Sequence, residues 1–471
     1  MAVIETAEKL LPSGLRASLS SVVAKLRALL TGRGEKAASQ RMALVAFVIR
    51  IASAALAFIS QIVLARVMGE FEYGIFVFVW VLMVLAGNLS CVGFHTAVIR
   101  FLPQYKADGA ADLIRGLTDT ARIFALSSAI CLALIAAAIV HLSTGLIEAY
   151  YLLPILVGLM IMPLIAVGDV LDGTARANHW PVMALSPTFI IRPILILVFM
   201  VGAVLSGAPH SALTAVESAL AATFVTTLCQ YFALTFRLRR HFPAGPKTIR
   251  FGTWMAVAFP IFLVEGVGYL LTNSDVIVVG IFLDPQQVAI YFAAAKTMAL
   301  VHFVYFSVKA AAGPRFASII AEGDSHKLAT FARETTRWTF FPALAVGLAV
   351  LAAGQFLLSL FGAAFMAGHI VMGILLAGIL AKALVGPGEV LLMMAGRQRL
   401  CAMLYGAALA ANIGLNVLLV PRLGIEGAAI ATAAAMLVEA TLLHVAVRRT
   451  LGIVLFAFAP AMANLNAKAS R

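Results

Sequence analysis

The order of apolar and polar positions divides the chain into long greasy runs separated by short polar turns. Residues 42–65 and 74–99 are the first two runs, joined by a turn that carries Arg66, Gly69, Glu70 and Tyr73. Each meets the rule that about 20 apolar residues cross a hydrocarbon core of about 30 Å. Ten more runs follow, at 121–141, 150–169, 182–205, 212–236, 253–282, 287–312, 338–360, 367–392, 399–420 and 426–447. The pattern therefore predicts an all-α polytopic membrane protein of about twelve spanning helices. Ahead of them, Leu19, Val22, Val23, Leu26, Leu29 and Leu30 recur at helical spacing around Lys25 and Arg27. Residues 1–40 thus read as an amphipathic segment on the cytoplasmic leaflet, followed by a flexible linker.

A basic connection at 237–252 divides the spans into an N-terminal lobe, 41–236, and a C-terminal lobe, 253–450, with six helices each. Residues 451–471 form a tail whose apolar stretch, 453–462, is too short to span. Lys and Arg crowd 1–40, 237–250, 309–337 and the 448–449 pair, whereas 142–149, 206–217 and 361–369 contain none. The positive-inside rule then places both termini in the cytoplasm. Six is even, so two such lobes are related about an axis along the membrane normal, as a parallel pseudo-repeat. Pro103 and Pro314 each lead through a Gly/Asp turn into an amphipathic segment, and Gly173–Arg176 and Gly396–Arg397 recur before the fifth span of each half.

Composition narrows the class further. The chain has 471 residues, 62% of them hydrophobic, more than a soluble domain buries. Its formal charge of +13 is carried mainly in loops on one side, as orientation demands, so no nucleic-acid partner is expected. Cys91, Cys131, Cys229 and Cys401 lie far apart and read as small hydrophobes, not as a metal or disulfide framework. No phosphate-binding Walker loop, HExxH or CxxC occurs. Asp169 and Asp172 are at helical spacing but fall at a helix end, and no loop is large enough for a catalytic domain. The chain is read as a non-enzyme without a metal or organic cofactor.

The stretches LARVMGEFEYGIF and VGFHTAVIRFLPQY, then SDVIVVGIFLDPQQVAIYFAAAKTM, GPRFASIIAEGD and NVLLVPRLGIEGAAIATAAAMLVEA, carry a family resemblance. They resemble the polysaccharide flippases of the multidrug/oligosaccharidyl-lipid/polysaccharide exporter superfamily, over nearly all of 41–450. The resemblance implies a twelve-helix, two-lobed architecture like that of the multidrug and toxic compound extrusion (MATE) transporters, with a V-shaped cavity. It implies alternating-access movement of a polyprenyl-diphosphate-linked oligosaccharide repeat unit from the cytoplasmic to the periplasmic leaflet of a bacterial inner membrane. Such a step serves exopolysaccharide, capsule or O-antigen (lipopolysaccharide) biosynthesis. Besides the lipid-linked oligosaccharide and membrane lipids, the implied partners are a polysaccharide polymerase and a chain-length regulator. The alternatives are a cation-coupled multidrug exporter of the same superfamily and a membrane polysaccharide polymerase or ligase.

A diphosphate and sugars need a wet groove with cationic and hydrogen-bonding groups. Cations within spans are expensive and point to function. Arg50, Arg192, Lys296 and Lys382 all fall inside predicted spans. Arg50 and Arg192 are the leading diphosphate ligands, because guanidinium forks onto two phosphate oxygens, with Lys296 and Lys382 supplying field and secondary contacts. Arg50, Ser53, Ser60 and Gln61 lie near one face of the first helix, which makes Gln61 a further substrate contact. Glu265, Tyr269, Thr272 and Asp275 form a second polar stripe. Glu265 or Asp275 is expected either to bind a coupling H+ or Na+ or to neutralise Lys296 or Arg50 within the bundle.

Overall fold

The computed structural model describes residues 35–459, with side chains at Ile49 and from Ala52 onward. The amphipathic segment before residue 35, the tail beyond 459 and the Arg50 side chain lie outside the described residues. Helices and turns make up the rest. In chain order they are α1 (Glu35–Ser90), α2 (Phe94–Ala107) and α3 (Ala111–Leu142), then α4 (Ala149–Ala177), α5 (Pro181–Leu205) and α6 (Ala212–His241). The second half holds α7 (Phe251–Phe282), α8 (Pro285–Glu322), α9 (Ser325–Ala352), α10 (Ala363–Met394) and α11 (Gln398–Leu451).

Ten of these are long and apolar enough to span a membrane. Two of the ten are double. α1 breaks at Gly69 (φ 78°, ψ 171°) and α11 at Gly424 (φ 60°, ψ −141°), so each folds into two arms and the crossings number twelve. These φ/ψ pairs are open to glycine and strained for any residue with a Cβ. The sequence-level turns at 66–73 and 421–424 thus resolve to single glycine hinges.

Some boundaries differ from expectation. The run at 74–99 is not one helix: it stops at Ser90, turns through Val92 and Gly93 with positive φ, and restarts as α2. Polar helical turns also extend the spans, so α3 begins at Ala111 and α9 at Ser325, well before their apolar cores. The ninth span ends at Ala352, and 354–359 is a separate short helix.

The outer face of α3 is built for lipid, with Ile123 and Leu134 each 66% exposed. Inside, one apolar core runs through both halves, from Leu64, Tyr73 and Phe76 of α1 to Tyr291 and Phe292 of α8. A second joins α2 and α3 to the start of α7, where Trp254 Nε1 donates to Tyr105 Oη at 2.9 Å. The tail folds back on the second half: Arg337 holds the carbonyls of Ala457 and Ala459 at 3.1 and 2.9 Å.

The halves meet closely beside the Gly69 hinge. Arg66 donates to the carbonyls of Leu360 and Ser359 at 2.6 and 2.5 Å, which caps the end of the 354–359 helix from the other half. A Cβ on Gly74 would stand 1.8 Å from the Pro285 carbonyl oxygen. Gly74→Val is therefore expected to pry α1 from α8 at this end. Overpacking of this kind costs about 1–3 kcal/mol, and thermal unfolding of the purified protein should show the loss.

Candidate functional site: a cationic, aromatic cavity between the halves

A cavity of 620 Å³ lies between α1, α5, α7 and α8. Its floor and walls come from both halves, with Phe58 and Gln61 on the first arm of α1, Trp80 on the second, and Phe303 on α8.

Local sequence explains how α5 turns its arginine inward. Pro187 and Pro193 flank Arg192, and a proline removes one rung of the helical ladder and crowds the carbonyl four residues earlier. The helix responds with a π-turn over Pro187–Ile191, immediately before Arg192. Arg192 lines the cavity with its guanidinium 5.5 Å from the Trp80 ring centre. Lys296, on α8, lines it with its ammonium 4.8 Å from Phe292. Neither has a carboxylate within ion-pair distance among the described residues. Aromatic faces give a desolvated cation partial compensation, on the order of 0.5–2 kcal/mol, and leave its hydrogen-bond donors for a ligand.

Gln61 also lines the cavity, and its Oε1 accepts from Tyr73 Oη at 2.8 Å, which fixes its amide. Asn273 and Thr188 add polar groups to the wall. Ser60 contributes a buried hydroxyl with no partner. The polar stripe on the first helix therefore does face the cavity at Ser60 and Gln61.

Lys382 does not join this site. Its ammonium sits 2.7 Å from Glu439, which is 3% exposed, and it lies over the Tyr305 ring at 5.3 Å. Beside it Lys309 pairs with the buried Glu389. Lys382 is thus paired inside the second half, apart from the Arg192–Lys296 cavity, against a carboxylate carried by α11.

The acidic residues also take other partners than expected. Glu265 accepts from Thr96 at 2.8 Å and pairs with His95 Nε2 at 3.0 Å, linking α7 to α2 and not to Lys296. Asp275 is buried and is not among the cavity-lining residues; Tyr291 Oη donates to it at 2.6 Å and the Val276 N–H at 2.8 Å, and its charge acts on Lys296 without a direct ion pair. Asp172 is also no exposed helix end: it is 3% exposed, accepting from Gln230 at 2.6 Å and Thr188 at 3.1 Å.

Sequence reasoning missed two groups. Trp80 shows only as one more apolar residue in a span. Near Asp275, Ser274 donates to Asn412 Oδ1 at 2.9 Å and Asn416 Nδ2 reaches the same oxygen at 3.1 Å. The Asn416 Oδ1 atom is buried there without a partner, and the Thr432 hydroxyl is buried beside that of Tyr291. The signal was present: two asparagines four residues apart in an otherwise apolar helix face the same way.

The fold has close counterparts. An inward-facing MATE-family multidrug resistance transporter of the MOP superfamily superposes with a TM-score of 0.70 at 15% identity, over 85% of this chain and 94% of that one. The lipid II flippase MurJ in an inward closed conformation also gives 0.70, at 13% identity, over 86% and 87%. A MOP superfamily transporter from Pyrococcus furiosus, described as having a binding pocket of reversed polarity, gives 0.61 at 16% identity over 90% and 97%. At these identities the likeness establishes the fold. Among curated proteins, none matches by sequence. A sequence profile described as polysaccharide biosynthesis protein matches residues 40–320, more than half of the chain. The two-lobed helical protein with the Arg192–Lys296 cavity is accordingly a member of the polysaccharide biosynthesis protein family.

Proposed function

We propose that this protein is a flippase that carries a polyprenyl-diphosphate-linked oligosaccharide from the cytoplasmic to the periplasmic leaflet of a bacterial inner membrane. The observation that carries the reading is the pair of cations, Arg192 and Lys296, on an aromatic cavity wall with no carboxylate in direct ion-pair contact with either among the described residues. A diphosphate supplies the missing anion, and Arg192 suits two of its oxygens. Gln61, Asn273 and Trp80 suit the hydroxyls and apolar faces of the adjoining sugars. At 620 Å³ the cavity holds the diphosphate and its nearest sugars, while the lipid tail stays in the bilayer.

The family and the fold support transport in polysaccharide assembly. The chief rival, export of organic cations, is disfavoured by the same two side chains, which repel such a cargo. A polymerase or ligase reading finds no large extramembrane domain among the described residues: the longest connection between spanning helices there runs over 91–110 and is mostly the helix α2. Both termini are taken as cytoplasmic, and a polymerase and a chain-length regulator are the expected partners.

Transport follows from rocking of the two halves about the cavity. Coupling to H+ or Na+ is assigned to Asp275, which Tyr291 links to Thr432, with Asn416 Oδ1 as a spare oxygen on the packed helix α11. Glu265, occupied by His95 and Thr96, is assigned to holding α7 on α2. Asp275→Asn should then abolish the dependence of transport on the ion gradient, while His95→Ala should leave that dependence in place. Unchanged gradient dependence in the Asp275 variant refutes this part of the reading. The flippase reading itself is tested by depleting the protein in cells: lipid-linked repeat units should accumulate on the cytoplasmic leaflet, and normal surface polysaccharide without accumulation would refute it.

A further inference from the structure

We propose a second anion site, separate from the central cavity, that binds a phosphate group where α3, α6 and the connection between the halves meet. A 580 Å³ cavity lies there. At its heart is Arg122 of α3, only 7% exposed. Its Nη1 donates to Thr235 Oγ1 at 3.0 Å, and its guanidinium lies 5.2 Å from the Tyr231 ring centre. Its Nε and Nη2 are buried with no acceptor in hydrogen-bond geometry, the Tyr231 hydroxyl and the Asp119 carboxylate standing nearby. A buried donor left without a partner costs about 1–3 kcal/mol, and a planar guanidinium edge with free N–H groups matches two oxygens of a phosphate.

The surroundings favour an anion and are held in place. Arg115, Arg239 and Lys247 also line the cavity, against a single carboxylate, Asp119, which Lys247 occupies at 2.5 Å. Arg115 is spent on structure: its Nε and Nη1 donate to the carbonyls of Pro246 and Pro243 at 2.9 and 3.0 Å. The Thr248 N–H donates to the Asp112 carbonyl at 3.2 Å, and Gly116 lets that strand of connection lie against α3, since a Cβ there would stand 1.9 Å from the Thr248 oxygen. The connection is thus strapped to α3 and forms a fixed wall. Ile123, Phe232 and Phe236, each at least 60% exposed, flank the site with lipid-facing surface. A basic pocket between spanning helices at the polar boundary suits the headgroup phosphate of an anionic lipid, and the same donors would take a free phosphate anion. The inference does not rest on the transport reading.

The test uses the full-length protein, purified in detergent and stripped of lipid. Phosphatidylglycerol, phosphatidylcholine or inorganic phosphate is added back, with binding read by native mass spectrometry and thermal shift. Phosphatidylglycerol should bind about tenfold more tightly than phosphatidylcholine, as expected for one charge-assisted contact. That preference should disappear in Arg122→Gln and shrink in Arg239→Gln, an exposed position that leaves folding intact, but persist in Arg422→Gln on the far half. Protection by inorganic phosphate, lost in the same two variants, would assign the site to a free anion; protection by phosphatidylglycerol alone would assign it to lipid. No preference for phosphatidylglycerol together with no effect of phosphate overturns the proposal, as does an equal preference in all three variants.

Discussion

Replacing Arg192 with Ala should lower surface polysaccharide output by about 10- to 100-fold, the loss expected when a charge-assisted hydrogen-bonding contact worth about 1.5–3 kcal/mol is removed. The protein itself should accumulate in the membrane at wild-type level. Arg192 has no direct ion pair to lose among the described residues, and its guanidinium lies 5.5 Å from the Trp80 ring centre. Removing it therefore takes a partly exposed cation from the cavity wall and breaks no direct ion pair among the described residues. Arg192→Lys should rescue little, because an ammonium cannot fork onto two oxygens and its stem does not match the π-turn geometry that aims this side chain. Lys296→Ala should cost less, since a point charge is replaced more readily by the remaining field. Quantifying cell-surface polymer alongside an immunoblot of the membrane fraction separates lost transport from lost protein. Normal polymer in Arg192→Ala would remove this residue from the site.

Lys382→Ala is expected to do the reverse and act through stability. It leaves Glu439, 3% exposed, without its cation, and breaking a buried pair by deleting one partner costs about 3–5 kcal/mol. The loss should appear as a lower unfolding temperature in detergent and a smaller membrane pool. The double substitution Lys382→Met with Glu439→Leu should recover most of it, because no charge then remains buried. Recovery of polymer output in the double variant would show that neither side chain touches cargo. A stable but inactive double variant would return Lys382 to the transport site.

The two cations behave differently because of residues far away in sequence. Both stand mid-span among apolar neighbours, so periodicity treats them alike. Glu439, on a helix remote in the chain, claims Lys382, while the aromatic faces of Trp80 and Phe292 approach Arg192 and Lys296. Span positions were legible because apolar length is a local property, and the Gly69 and Gly424 hinges because glycine punctuates a run. The break at Val92–Gly93 was not legible, since Val92 looks like any helical apolar residue. Its cause is tertiary: a Cβ on Gly93 would stand 2.2 Å from the Ala258 carbonyl oxygen of α7. Likewise the stripe on α7 reads as one face, yet its ends serve separate partners, His95 for Glu265 and Tyr291 for Asp275. Helical phase gives direction within a helix; the identity of the neighbour comes from packing.

The most direct measurement is leaflet exchange of a polyprenyl-diphosphate oligosaccharide in proteoliposomes made with the purified protein, its external pool assayed by a soluble sugar-binding probe. The wild type should expose the oligosaccharide that began on the inner leaflet, and the Arg192→Ala, Lys296→Ala double variant should not. Equal exchange by the double variant and the wild type would contradict a cavity whose cations carry the cargo's diphosphate.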